Sequence, residues 1–176
     1  MKILRTCLWA AVLLVSNPAL AARSDWRQMT VGHFHLYSTM RDSKTREVAR
    51  QLQAFENTVG QLLTGDDRLP DVPTIIYILD GGDFLKYGAG RPGVAGVFYE
   101  RPFANVITIN GDVSFDMVKI TIFHEYTHFI QRSSSSRKMP PWYMEGYAEL
   151  FSGFRMKGDK IIMGELPEGV HVDMSQ

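Results

Sequence analysis

Apolar residues recur along this chain with two different periods, and the switches between them lay out a mixed fold. From about Ser43 to Thr64, Val48, Leu52, Phe55, Val59 and Leu62 fall at steps of four, three, four and three, the spacing of one helix face. Lys44, Arg46, Glu47 and Arg50 form its solvated side, and Gly65 is placed to end it. Upstream, polar and apolar positions alternate from His33 to Leu36, which predicts a half-buried strand. His33 and His35 then share the wetter face as solvated histidines, since no neighbouring acid or histidine in the sequence completes a metal set.

Further on, the β-branched run from Thr74 to Leu79 lies between a proline-bearing loop (66–73) and Asp80-Gly81-Gly82, and it reads as a buried strand. Asp83 to Tyr87 fits a short helical turn. The glycine-rich stretch from Gly88 to Gly93 has no Gly-Lys-Ser or Gly-Lys-Thr ending, so it reads as a rim loop rather than a phosphate cradle. Val94 to Tyr99 and Asn105 to Ile109 form a hairpin pattern. A helix from about Phe115 to Gln131 follows, with Ser114 or Asp116 as its cap. Arg132 through Lys138, with four consecutive serines, reads as a flexible connection. Pro140 and Pro141 then open a second helix that runs to about Gly153. A turn at Lys157-Gly158-Asp159 leads to a short last strand. The sum is an α+β domain, a small twisted sheet of about four strands packed on the long N-terminal helix and the two later helices.

Composition narrows the chemistry. The 176 residues, 45% hydrophobic, suit one domain, here residues 23–176. Residues 1–22 carry Lys2 and Arg5, an apolar run from Cys7 to Val15 and small residues at Ala19, Ala21 and Ala22, the layout of a cleaved secretory signal peptide. The run is too short to span a bilayer, which takes about 20 residues, so export to the periplasm or the extracellular space is expected, without a membrane span. Cys7 is the single cysteine, so a processed chain has no thiol for catalysis or metal binding. Taking Lys2 and Arg5 from the 19 basic residues leaves 17 against 19 acidic ones, a balance that offers nothing to nucleic acid. Oligomeric state is not encoded in any of these features.

The candidate chemistry sits at His124-Glu125-Tyr126-Thr127-His128. Residues four apart share a helix face, so both imidazoles can meet one ion, with Glu125 beside them. Catalytic zinc commonly takes three protein ligands and keeps a fourth position for water. Seventeen positions past His128, Glu145 is the natural third ligand. Glu149, one turn further along, is placed to accept the second ring N–H of a ligating histidine. Glu125 is the candidate general base.

These residues, with Pro141-Trp142-Tyr143-Met144-Glu145-Gly146-Tyr147-Ala148-Glu149, resemble the gluzincin metallopeptidases, and among them the short peptidase-MA-like domains of exported bacterial proteins. The close likeness covers about residues 116 to 153. It implies a zincin-like fold, Zn2+ held by His124, His128 and Glu145, Glu125 as general base, Glu149 supporting the first histidine, and a peptide or protein substrate. Gluzincins generally continue into a helical subdomain that walls the cleft and often supplies a tyrosine or histidine to the scissile carbonyl. Only 31 residues follow Glu145, which suits a C-terminally truncated form of a longer protein and leaves that partner unassigned among His171, Tyr99 and Tyr143. Asn105 to Ile109, directly before the site helix, is expected to be the edge strand on which an extended substrate pairs. A second reading of the same residues is a non-catalytic zinc-binding envelope module that binds a protein partner, for which the retained Glu125 has no use.

Overall fold

A computed structural model describes residues 26–64, 72–88, 93–134 and 139–165. The leader (1–22), most of the proline-bearing loop (66–71), the glycine-rich stretch at 89–92, most of the serine-rich connection (135–138) and His171 lie outside the described residues.

The described chain is mixed α/β. Strands β1 (Arg27–Val31) and β2 (Phe34–Ser38) precede helix α1 (Asp42–Thr64) and strand β3 (Thr74–Leu79). A one-turn α2 (Gly81–Asp83) runs into a π-helical turn (Phe84–Gly88), and strands β4 (Gly96–Glu100) and β5 (Asn105–Asn110) follow. Helices α3 (Phe115–Ser134) and α4 (Pro141–Ser152) and the ribbon β6 (Arg155–Lys157) and β7 (Lys160–Ile162) complete it. The main sheet has five strands in the order β1-β2-β3-β5-β4. Its inner pairs, β2 with β3 and β3 with β5, are parallel, and both outer pairs are antiparallel.

Two sequence expectations change here. The 23-residue helix is not N-terminal, because a β1–β2 hairpin comes before it. The single strand expected around His33 is two strands, broken at Gly32, whose φ of 55° is a turn conformation that a residue with a Cβ adopts only under strain. That turn carries His33 off the strand. Its Nε2 lies 3.1 Å from the Tyr126 hydroxyl on α3 and 3.1 Å from Glu56 Oε1 on α1. The Tyr126 hydroxyl in turn donates to Glu56 at 3.2 Å. His33 is therefore a tie between the hairpin and two helices, not a solvated strand residue. His35 keeps its partly exposed place on β2, with Nδ1 3.3 Å from Thr30 Oγ1.

The core forms where one sheet face meets α1 and α3. Alternation along the strands sends Phe34, Leu36, Ile76, Ile78, Ile107 and Ile109 to that face, all with no exposed surface. From α1 come Val48, Leu52, Phe55 and Val59, whereas Leu62, the last residue of the sequence stripe, is exposed. Phe55 stacks on Phe123 of α3 with ring centroids 4.6 Å apart, and Phe154 meets both rings edge-on. This aromatic trio holds the start of the β6–β7 ribbon to the two long helices. Phe55→Ala should cost about 3–5 kcal/mol of unfolding free energy, measured by urea titration, because the cavity it leaves is walled by rings that cannot collapse into it.

Candidate metal centre

Helix α3 begins at Ser114, whose Oγ accepts the Met117 N–H at 3.3 Å, so of the two caps the sequence offered Ser114 is used. The helix is buried on several sides. Val118, Ile122, Phe123, Tyr126 and Ile130 are all 1% exposed or less. Thr121 and Thr127 return their hydroxyls to carbonyls four residues back, Met117 and Phe123, which settles two polar groups inside a crowded interface.

Helix α4 opens with Pro141 in its first turn after Pro140, where proline's missing N–H is harmless. Glu145, Ala148, Glu149 and Ser152 fall at helical spacing on one side of it. Ala148 and Ser152 have no exposed surface. With small residues on that stripe the α4 backbone can ride close on α3, and close approach is what short glutamate side chains need to reach a histidine on the next helix.

The result is a cluster. Glu145 Oε2 lies 3.3 Å from His124 Nε2, and Glu145 Oε1 lies 3.6 Å from His128 Nε2. The two imidazoles are nearly perpendicular with centroids 4.9 Å apart. One ligand atom from each of the three residues lies within 4.8 Å of the others. Donors around a tetrahedral zinc ion with bonds near 2.0–2.1 Å stand about 3.3 Å apart, so the spacing and the donor set, two ring nitrogens and a carboxylate, fit such an ion. The ring of His124 is oriented from behind, with Nδ1 3.5 Å from Glu149 Oε2. The corresponding atom of His128 is buried without a hydrogen-bond partner, and the Gln131 side chain lies beside that ring.

Electrostatics point the same way. Burial lowers the pKa of both histidines, the charge of His128 lowers that of His124 further, and Glu145 opposes the shift in each. Neutral imidazole, the form with a free lone pair, is the form a metal binds. Burial also pushes Glu125 up to about 7, and Glu145 adds to the rise. Glu149 is raised by burial and then by Glu145. Three carboxylates thus crowd two neutral rings, and a divalent cation among them would relieve all three.

Glu125 points to the sheet. The bonds from Asn110 N–H to the Ala95 carbonyl and from Arg101 N–H to the Ala104 carbonyl set the β4–β5 register. In that register the polar groups of Gly96, Phe98 and Glu100 face away from β5. The Phe98 backbone N–H faces the Glu125 carboxylate and favours its charged form. The strand comes this near to α3 because position 96 is glycine, where a Cβ would collide with the Thr121 methyl. The sequence expected β5 as the open edge, but β5 is paired on both sides and β4 is the edge strand. Alternation hid this, since the strand next to the site helix in sequence is not the outer one in space. Arg132, assigned to a flexible connection from its serine neighbours, is in the last turn of α3, 5.4 Å over the Phe98 ring and 3.8 Å from Glu100. Its charge pulls down on Glu125.

Of the three residues considered for the scissile carbonyl, Tyr99 is on the far face of the sheet and donates to the Gly88 carbonyl at 3.0 Å. Tyr143 packs on Tyr147 along α4.

Comparison with protein-family profiles, with curated proteins and with solved structures finds no match for this chain. The geometry therefore stands alone. His124→Ala and His128→Ala should each abolish stoichiometric zinc uptake, and Glu145→Ala should weaken it, as read by metal analysis after dialysis. Glu149→Ala should cost about 10- to 100-fold in metal affinity by removing the support behind His124. Ala148→Leu should also weaken metal retention, with helix content by circular dichroism unchanged, because it wedges α4 away from α3.

Proposed function

We propose that this chain is a zinc-dependent metallopeptidase of gluzincin type. The observation that carries the reading is the approach of Glu145 to both imidazoles at donor spacing, with a second, raised carboxylate, Glu125, one residue from the first of them. His124, His128 and Glu145 would hold the ion, and Glu149 would orient His124. When bound, zinc lowers the pKa of a coordinated water toward neutrality and polarises a carbonyl.

The chain's own groups divide the remaining work. Glu125 takes a proton from the attacking water and passes it to the departing amine, and a carboxyl pKa near neutrality suits a group that must do both. The Phe98 N–H on β4 faces Glu125 and favours its charged form, the form that accepts a proton. The outward backbone groups of Gly96 and Glu100 are available for an extended peptide to pair beside the histidines. Pairing there delivers a scissile bond to the side of the cluster where Glu125 sits. The leader pattern at 1–22 supports action outside the cytoplasm, and among the described residues no helix is long and apolar enough to cross a membrane.

Glu125→Gln keeps the shape of the side chain and removes its basicity. The expected outcome is a loss of hydrolysis of at least about 100-fold on a peptide library, with zinc content unchanged and with wild-type hydrolysis abolished by chelator and restored by zinc. Zinc bound to the wild type with no cleavage of any library member would leave the non-catalytic binding module as the better reading.

A further inference from the structure

The sheet has a second face, turned away from α1 and α3. Alternation sends Phe98 toward Phe129 of α3, and it sends Tyr99, with Val106, Thr108 and Tyr77 of the neighbouring strands, to the other side. With Trp26 ahead of β1 and Tyr87 in the π-helical turn, these residues line a cavity of about 340 Å³. Leu79 completes the lining, and four of these seven residues are aromatic. Tyr77 is fixed by stacking on Tyr37, centroids 5.3 Å apart at 23°, and Tyr99 by its hydrogen bond to Gly88. Two of the four aromatic walls are thus set before any ligand arrives.

Size, charge and one unmatched hydroxyl define what fits. The volume is at the small end of ligand sites, enough for one ring and too little for a nucleotide. Among the described residues no carboxylate lines the cavity. Two exposed cations stand against lining rings, Arg101 with Cζ 5.3 Å from the Tyr99 centroid and Lys86 with Nζ 4.6 Å from that of Tyr87. On the inner wall Thr108 is 6% exposed and its buried hydroxyl has no hydrogen-bond partner. A turn about χ1 exchanges that hydroxyl with the methyl group and offers it to the cavity. A sugar would need polar partners over most of its surface where the wall is mainly apolar, and a neutral hydrocarbon would ignore both cations.

We propose that this cavity binds a single-ring aromatic carboxylate, with its ring among Trp26, Tyr77, Tyr87 and Tyr99 and its carboxylate at the rim facing Arg101 and Lys86. A hydroxyl para to the carboxylate reaches Thr108. The site is separate from the histidine cluster, which lies across the sheet.

The test is a nuclear magnetic resonance titration of the purified chain with benzoate, 4-hydroxybenzoate and toluene. Benzoate should shift the Tyr99, Val106 and Thr108 signals saturably, and more weakly as salt is raised, while toluene binding is indifferent to salt. Replacing both rim cations (Lys86→Gln with Arg101→Gln) should weaken benzoate about tenfold and leave toluene unchanged. 4-Hydroxybenzoate should bind about fivefold tighter than benzoate in the wild type and equally in Thr108→Val. No saturable shift at those three residues, shifts confined to His124 and His128, or a benzoate affinity that ignores salt would each overturn the proposal. The salt series uses the unaltered protein, so it decides the matter even where a variant fails to fold.

Discussion

The close seat of α4 on α3 is the constraint from which the site follows. Neither helix holds a site alone. His124 and His128 share a face of α3, but two rings make a weak ligand set, and Glu145 lies on a helix whose other end is tied down by Phe151 and Phe154. Ala148 and Ser152 bring the backbones near enough for Glu145 to lie 3.3 and 3.6 Å from the two rings. A larger side chain at 148 would leave every ligand present in the sequence and separate them in space. The same closeness has an electrostatic cost, because Glu145 raises both Glu125 and Glu149. Burial and like charge together disfavour the ionised forms of Glu125 and Glu149, a condition that a nearby cation would ease.

The second constraint is the order of the sheet. Parallel pairing of β3 with β5 buries the inner strands on both edges, and the β4–β5 hairpin folds back to place β4 outermost. Gly96 lets that outer strand press on α3, and the Phe98 N–H, which has no partner strand, meets Glu125 instead. Arg132 completes the corner, lying over the Phe98 ring and near Glu100. The edge, the proposed base and the cluster are parts of one contact between a helix and a strand.

Much of this was legible in the sequence, and the failures have physical causes. Helical periodicity located α1 and α3 to within a few residues because each buries a long stripe, and Pro140-Pro141 marked the start of α4, which buries only Ala148, Phe151 and Ser152 near its end. His124 with His128, and Glu145 with Glu149, were readable as pairs because a shared helix face fixes i and i+4 neighbours without reference to the rest of the fold, whereas the meeting of the two pairs depends on the contact between α3 and α4. Strand order was not readable, since hydrophobic alternation reports which face of a strand is buried and says nothing about which strand lies beside it. His33 was misread for a related reason. Its sequence neighbours suggested an exposed position, but its partners Glu56 and Tyr126 come from helices 23 and 93 positions away. The lining of the far cavity, drawn from three strands, a turn and a residue ahead of β1, has no local signature either.

The His33–Glu56–Tyr126 tie shows how α3 can carry polar chemistry on one side and still be held on the other. Tyr126 sits between Glu125 and Thr127, fully buried, and its hydroxyl is shared by a histidine and a carboxylate. Burial and the Glu56 carboxylate raise its pKa well above the ordinary tyrosine value, so it remains a neutral donor throughout the range in which the protein folds. A hydrophobic residue at 126 would pack as well against Phe34 and Phe55 but would leave Glu56 and His33 facing one another in a nearly closed space. The hydroxyl therefore fixes the rotation of α3 about its own axis, because turning the helix would part three polar groups that have little access to water. That rotation decides where His124 and His128 point. The side of α3 that carries the two imidazoles is thus set by hydrogen bonds on the opposite side, and Glu145 meets rings that are already aimed by the helix itself.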